Sequence, residues 1–373
     1  TTEFAGRSAA KPLPIDLRWR ARERLRQLRF RPAFAEHRTG QETTRADLDR
    51  ALHGHHGPIL FEAPTGFGKT GILLECALGQ LQAGHFERVL YLTSKSTGQL
   101  QVVQTLAAMT QPRSGGVRPG AEGGRPDSEP HAPSLMPQAS RLMPPASTAT
   151  SVAVWNVRNK AEHCVNHTFH CVREECAFLS GAEARWPQSG LARFYLFENE
   201  PRDLATLRAA GRAANICPYE ITRAALAFNE VWIGDYNYVF APRNRGLFYD
   251  RPGFDPARTL LMLDEAHNLP GRVADAHSHV ARADEARGLL AELDHLHAAP
   301  SLVRAWESWT KLLAALIPTE ALDPALEADV TETLTRIADQ VATVPPDSAA
   351  LGAHFAGVLW QTTELVEWLA NAQ

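Results

Sequence analysis

The stretch Glu62-Ala-Pro-Thr-Gly-Phe-Gly-Lys-Thr70 decides how the rest of this chain is read. It follows a short apolar run, Pro58-Ile-Leu-Phe-Glu62, and opens onto Gly71-Ile-Leu-Leu-Glu-Cys-Ala-Leu78. Strand, glycine-rich loop and helix are expected in that order, which is the setting of a P-loop. Thr65, Gly66, Phe67 and Gly68 form the loop, and the two glycines let successive N–H groups face a polyphosphate at the positive end of the helix. Lys69 is then the contact to the β- and γ-phosphates, and the Thr70 hydroxyl takes one position on Mg²⁺.

Working outward, the partner of this loop is Leu261-Met-Leu-Asp-Glu-Ala-His-Asn268. An apolar strand that ends in Asp-Glu puts Asp264 near the metal and Glu265 where an attacking water lies, so Glu265 is the candidate general base. His267 is placed to sense the γ-phosphate. Further apolar runs, Arg88-Val-Leu-Tyr-Leu-Thr93 and Glu230-Val-Trp-Ile-Gly-Asp-Tyr-Asn-Tyr-Val-Phe240, read as buried strands of an α/β parallel sheet. Ser94 to Gln99 reads as the loop leaving the first of them, and Lys95, Ser96, Thr97 and Gln99 suit contacts to a nucleic-acid backbone. An ordinary polar loop is the competing reading.

Composition narrows the class. A chain of 373 residues holds two or three domains. A formal charge of −4 with a pI near 6.4 excludes a globally basic binder, so any nucleic-acid contact is local. No signal peptide or run of membrane-spanning length is present in the sequence, and a cytoplasmic protein without membrane contact is expected. In a reducing compartment the five cysteines are then not a disulfide framework.

Residues 17–31 form a basic lead with Leu17, Leu25, Leu28 and Phe30 available for packing; a solvated helix face is favoured there over a nucleic-acid contact. Residues 111–150, rich in Pro, Gly and Ser, are expected to be a disordered insertion. Order resumes at Ser151-Val-Ala-Val-Trp-Asn-Val157 and leads into Cys164, Cys171 and Cys176, with Cys217 following in Ile216-Cys-Pro-Tyr-Glu220. These spacings are not the paired Cys-x2-Cys knuckles of structural zinc. Four thiolates suit an iron–sulfur cluster, while His163, His167 and His170 keep a zinc site open. Cys76, on the helix behind the P-loop, reads as a small buried hydrophobe. Arginines and aromatics around the cysteines either stack on a single strand or build a small core; Arg173 and Arg193 are the candidates for DNA contact. The separation of Lys69 from Asp264 far exceeds a minimal sheet crossover, so the cysteine segment is an insertion.

On these residues the sequence resembles the XPD/DinG-type iron–sulfur helicases of superfamily 2. The resemblance rests on the P-loop, the Thr93 to Gln99 segment, Arg158-Asn-Lys160 with the cysteines, Cys217-Pro-Tyr219, Asp235-Tyr-Asn-Tyr238 and Asp264-Glu-Ala-His-Asn268, in the family's order. It implies an ATP-dependent helicase moving 5′ to 3′ on single-stranded DNA and parting a forked duplex. Further, it implies Gln41 as an adenine contact, a [4Fe–4S] cluster on the four cysteines and a helical Arch after the DEAH motif. The expected organisation is a RecA-like motor domain in residues 1–160 and 220–274, an iron–sulfur domain in 161–219, and an Arch-like domain in 275–373. In that last region apolar stripes mark helices at 284–298, 301–317, 324–344 and 352–370.

The sequence departs from the family by lacking the second motor domain and its arginine-bearing motifs, and by its Pro/Gly-rich insertion. A fragment of a longer, monomeric helicase is therefore expected, with weak or no unwinding by itself. Two alternatives stay open: a non-translocating module that binds nucleotide and single-stranded DNA, and a zinc-stabilised ATPase.

Overall fold

A computed structural model describes residues 15–54, 57–110, 152–166, 169, 171, 176–196, 200–242, 244–317, 321, 323–346 and 348–372. The expected insertion at 111–150 and the candidates Arg173, His167 and His170 lie outside the described residues. The chain divides into two compact units. The first comprises residues 1–158, 192–200 and 222–269; the second comprises 159–191, 201–221 and 270–373.

The first unit is built on a parallel sheet. Its strands are β1 (Arg88–Leu92), β2 (Val154–Asn156), β3 (Val231–Gly234) and β4 (Thr259–Leu263), in the order β2-β3-β1-β4. Every residue of β1 and β3 is buried, as expected for central parallel strands covered on both faces. Register is fixed by pairs such as Leu90 with Trp232 and Leu90 with Leu261. The helices Lys69–Ala83 and Ser96–Thr110 pack Leu74, Leu78, Leu81, Val102 and Leu106 into one core with Val89, Tyr91 and Ile233. The basic lead forms the helix Ile15–Arg26, and Leu25 and Leu28 bury into that same core. Arg24 pairs with buried Glu230, whose other oxygen accepts from the Ala153 N–H at 2.8 Å. Arg22 pairs with Glu87 at 2.7 Å.

Two sequence expectations need correction. Pro58–Glu62 is not a strand of the sheet: it joins no ladder, and Leu60 is 92% exposed. A proline at its start and a side chain facing solvent remove both the donor and the burial that would seat it. Residues 96–99 are not loop, because the helix begins at Ser96 and leaves only Ser94 and Lys95 in the turn.

In the second unit, helices Ala283–His295, Pro300–Ala315, Pro324–Thr343 and Ser348–Ala372 enclose one apolar core. Trp306 lies fully buried at its centre and donates its indole N–H to the Ala286 carbonyl at 2.9 Å. Asp323 caps the third helix, accepting from the N–H groups of Ala325 and Leu326 at 3.0 and 2.9 Å. The fourth starts at Ser348 and kinks at Gly352, whose φ of 70° suits glycine. The cysteine region contributes the helix Leu204–Ala214, capped by Asp203. No helix among the described residues is long and apolar enough to cross a membrane.

Candidate nucleotide site and cysteine cluster

The P-loop lies at the C-terminal edge of the sheet in the first unit. Gly66 and Gly68 hold φ of 81° and 90°, the left-handed conformation that the turn needs and that side chains resist. Phe34 packs so closely that a Cβ on Gly68 would stand 2.5 Å from its ring. Lys69 turns back into the loop and donates to the Ala63 carbonyl at 2.9 Å. Buried Gln41 uses both ends of its amide on the protein: its Oε1 accepts from the Arg38 N–H at 2.8 Å, and its Nε2 donates to the Phe67 carbonyl at 2.6 Å. It therefore straps the Arg38 turn to the P-loop.

Behind the loop, Glu75 is 3% exposed on the P-loop helix. Its Oε1 accepts from the Ala33 N–H at 2.7 Å, and its Oε2 lies 3.5 Å from Arg45 and 3.7 Å from His37. This carboxylate ties the segment ahead of the P-loop to the helix that follows it. The role was missed from sequence, although a lone acid on an apolar helix face is a visible signal. Burial on that helix pushes the Cys76 thiol up to about 12, as suits an inert structural cysteine.

At the end of β4 the Asp264 N–H donates to the Leu92 carbonyl at 2.9 Å, so the acid emerges one residue beyond the ladder. Burial holds its carboxyl above the usual range; the Tyr91 phenol and Lys69 lower it, and Glu265 raises it. Tyr236, from the turn after β3, donates its hydroxyl to the Asp264 carbonyl. Glu265 has φ 56° and ψ 44°, a left-handed conformation rare outside glycine. The His267 ring nitrogen lies 3.4 Å from its carboxylate, and both side chains are exposed. Lys69, Thr70, Asp264, Glu265 and His267 thus belong to one edge. Tyr91 was invisible to sequence reading, since a tyrosine in an apolar strand reads as core; Tyr236 lies in the Asp235-Tyr-Asn-Tyr238 motif but had no role assigned.

The candidate nucleic-acid residues divide. Lys95, Ser96 and Thr97 are exposed at the start of their helix, whereas Gln99 is buried. Arg193 lies over the Phe194 ring at 4.4 Å and 3.6 Å from Glu200.

All four insertion cysteines fall in the second unit: Cys176 is buried, Cys164 and Cys217 half-buried, Cys171 exposed. Burial raises the Cys171 thiol, with Lys160 opposing and Cys176 and Cys164 adding to the rise. Burial likewise pushes Cys217 up to about 11, with Cys171 and Cys176 among its acidic neighbours. Four thiols are a donor set that fits an iron–sulfur cluster. Yet among the described residues no group of three or more His, Cys, Asp or Glu is arranged to hold a metal ion. Buried His163 directs Nδ1 to the Asn159 carbonyl at 2.9 Å and packs edge-on against Tyr219.

Comparison with known proteins follows the same lines. Residues 148–285 match the family model described as DEAD_2. The DEAD_2 match takes in β2, β3, β4, the four cysteines and Asp264 to His267, and begins after the P-loop. An ATP-dependent DNA helicase CHL1 of Vanderwaltozyma polyspora is 30% identical over 76 residues, 20% of this chain. The aligned stretch spans 9% of the length of that relative. A solved structure described as truncated XPD superposes with a TM-score of 0.51 at 13% identity, covering 89% of this chain and 82% of that one. The likeness supports a RecA-like α/β domain with helical insertions. The chain spans well under two thirds of the length of the curated helicase relative it matches.

Proposed function

We propose that this chain is the nucleotide-binding half of an ATP-hydrolysing DNA helicase that moves 5′ to 3′ along single-stranded DNA and opens a forked duplex. The observation that carries the reading is the convergence of Lys69, Thr70, Asp264 and Glu265 on one edge of a parallel sheet. Lys69 leaves the Ala63 carbonyl to bind the β- and γ-phosphates, while the N–H groups of Thr65 to Gly68 cradle them. Gln41 acts as the adenine contact by releasing the Phe67 carbonyl that its Nε2 holds without nucleotide. Thr70 and Asp264 hold Mg²⁺, which when bound neutralises charge on the phosphate oxygens. Glu265 takes a proton from the attacking water as the bond from the γ-phosphorus to the β–γ bridging oxygen breaks, giving ADP and phosphate. His267 reports the γ-phosphate through Glu265.

In this reading Lys95, Ser96, Thr97 and Arg193 contact the DNA strand. Cys164, Cys171, Cys176 and Cys217 hold a [4Fe–4S] cluster, and the helices of residues 275–373 serve as the Arch. The protein works in the cytoplasm as a monomer, with opposing arginines from a second motor domain of the same parent chain.

Binding of a fluorescent ATP analogue with Mg²⁺ tests the core of the proposal. Lys69→Ala should weaken binding at least about a hundredfold, the loss of a charge-assisted contact at the order of 3 kcal/mol. Equal binding by this variant and the wild type would overturn the nucleotide reading. Iron, sulfide and zinc analysis of the purified chain separates the cluster from a zinc site. Strand displacement on forks of either polarity separates a 5′–3′ helicase from a module that only binds.

A further inference from the structure

The ring of Tyr91 packs in the core of the first unit, but core packing gives its hydroxyl no task. Tyr91 is the fourth residue of β1, with Ile233 beside it on β3 and Met262 beside it on β4, and none of its surface is exposed. Its hydroxyl lies among Asp264, Thr70 and Tyr236: burial and then the Asp264 charge push the phenol up, and the Thr70 hydroxyl opposes the rise. Even so, its Oη completes no well-formed hydrogen bond with any protein atom. A buried hydroxyl without a partner is penalised and rare in folded proteins. Phenylalanine would fill the same place in the strand without that penalty, so packing alone does not account for the oxygen.

Its neighbours supply the account. Thr70 and Asp264 are the two side chains assigned to Mg²⁺, an ion that sheds its waters reluctantly and keeps several when bound to nucleotide. We propose that Tyr91 is a positioning residue for the metal's water shell: its Oη accepts a hydrogen bond from a metal-held water and donates its own proton to the Asp264 carboxylate. A metal-polarised water is a strong donor, and a neutral phenol accepts from it without adding a third negative charge beside Asp264 and Glu265. Tyr236 has the separate task of holding the Asp264 backbone carbonyl. The inference rests on the nucleotide reading above.

Tyr91→Phe in the chain of residues 1–373 tests it. The fluorescent ATP analogue is titrated once with Mg²⁺ and once with EDTA, and the melting temperature of the ligand-free protein is recorded. The gain in affinity that Mg²⁺ confers should fall about tenfold in the variant, with the EDTA affinity unchanged. The ligand-free melting temperature should stay level or rise, since the hydroxyl removed has no partner there. An unchanged Mg²⁺-dependent gain, a parallel loss of affinity in Mg²⁺ and EDTA, or a lowered melting temperature would each overturn the role. If the wild type shows no Mg²⁺-dependent binding, the nucleotide reading fails and this inference with it.

Discussion

Glycine 71, directly after the Lys-Thr pair, shows how a single residue couples two parts of the site. A Cβ there would stand 2.6 Å from the Phe34 ring and 2.8 Å from the Ala33 Cβ, inside contact distance. Gly79, two turns further along the same helix, has nothing within 4 Å of the same position. The two therefore predict opposite signs. Gly79→Ala should stabilise by about 0.4–1 kcal/mol through helix propensity and a less flexible unfolded chain. At Gly71 the same gain is outweighed by overpacking worth about 1–3 kcal/mol. Gly71→Ala should therefore lower the urea midpoint and, by displacing Phe34, weaken binding of the ATP analogue. Equal urea midpoints for the two variants would refute the close packing of Phe34. Residue identity also explains what could be read early: the left-handed turns at Gly66 and Gly68 are dictated by sequence, whereas the left-handed conformation of Glu265 is not, because glutamate carries no such preference.

At the scale of elements, each of the four helices after residue 282 is held by a stripe of apolar residues that its sequence displays, and the stripes share one core with Trp306. Trp306→Ala removes a fully buried indole and its hydrogen bond to the Ala286 carbonyl. A loss of about 3–5 kcal/mol is expected, measured as a drop in the urea midpoint of that unit, with little change in nucleotide affinity. The strands were read with less success for a related reason. β1, β3 and β4 carry long apolar runs, and each pairs as expected. Pro58–Glu62 carries a similar run yet stays outside the ladder, with Leu60 exposed. Hydrophobicity marks a segment that can join a sheet, while partners on either side decide whether it does. The same limit applies to Glu230: its place at the head of β3 is plain, but its bonds to the Ala153 N–H and Arg24 depend on segments remote in sequence.

Across the whole molecule, the nucleotide residues and the four cysteines belong to different compact units. Cys217→Ser should therefore strip iron from the purified chain and leave the Mg²⁺-dependent affinity for the ATP analogue within about threefold, under 1 kcal/mol. Iron and nucleotide binding lost together would argue for a single cooperative unit instead. The cysteines also mark the point where reading by spacing stops. Cys164, Cys171 and Cys176 are near one another in sequence, and Cys217 comes to them because its N–H donates to the Phe178 carbonyl at 2.9 Å, just beyond Cys176.

By itself the sequence determined the glycine-rich loop, the Asp-Glu strand end, the parallel α/β class and the four helices after residue 282. All of these are written in local spacing, because backbone turns, helix stripes and buried strands are set by neighbouring residues. Only the tertiary structure decided that Gln41 straps the loop to its flank, that Glu75 anchors the preceding segment, that Pro58–Glu62 stands apart from the sheet, and that Tyr91 comes to rest beside Thr70 and Asp264. Those outcomes depend on which distant groups are buried together. A buried polar atom takes its meaning from the partners that folding brings to it, and Thr70 comes near Tyr91 and Asp264 only when β1 and β4 lie side by side.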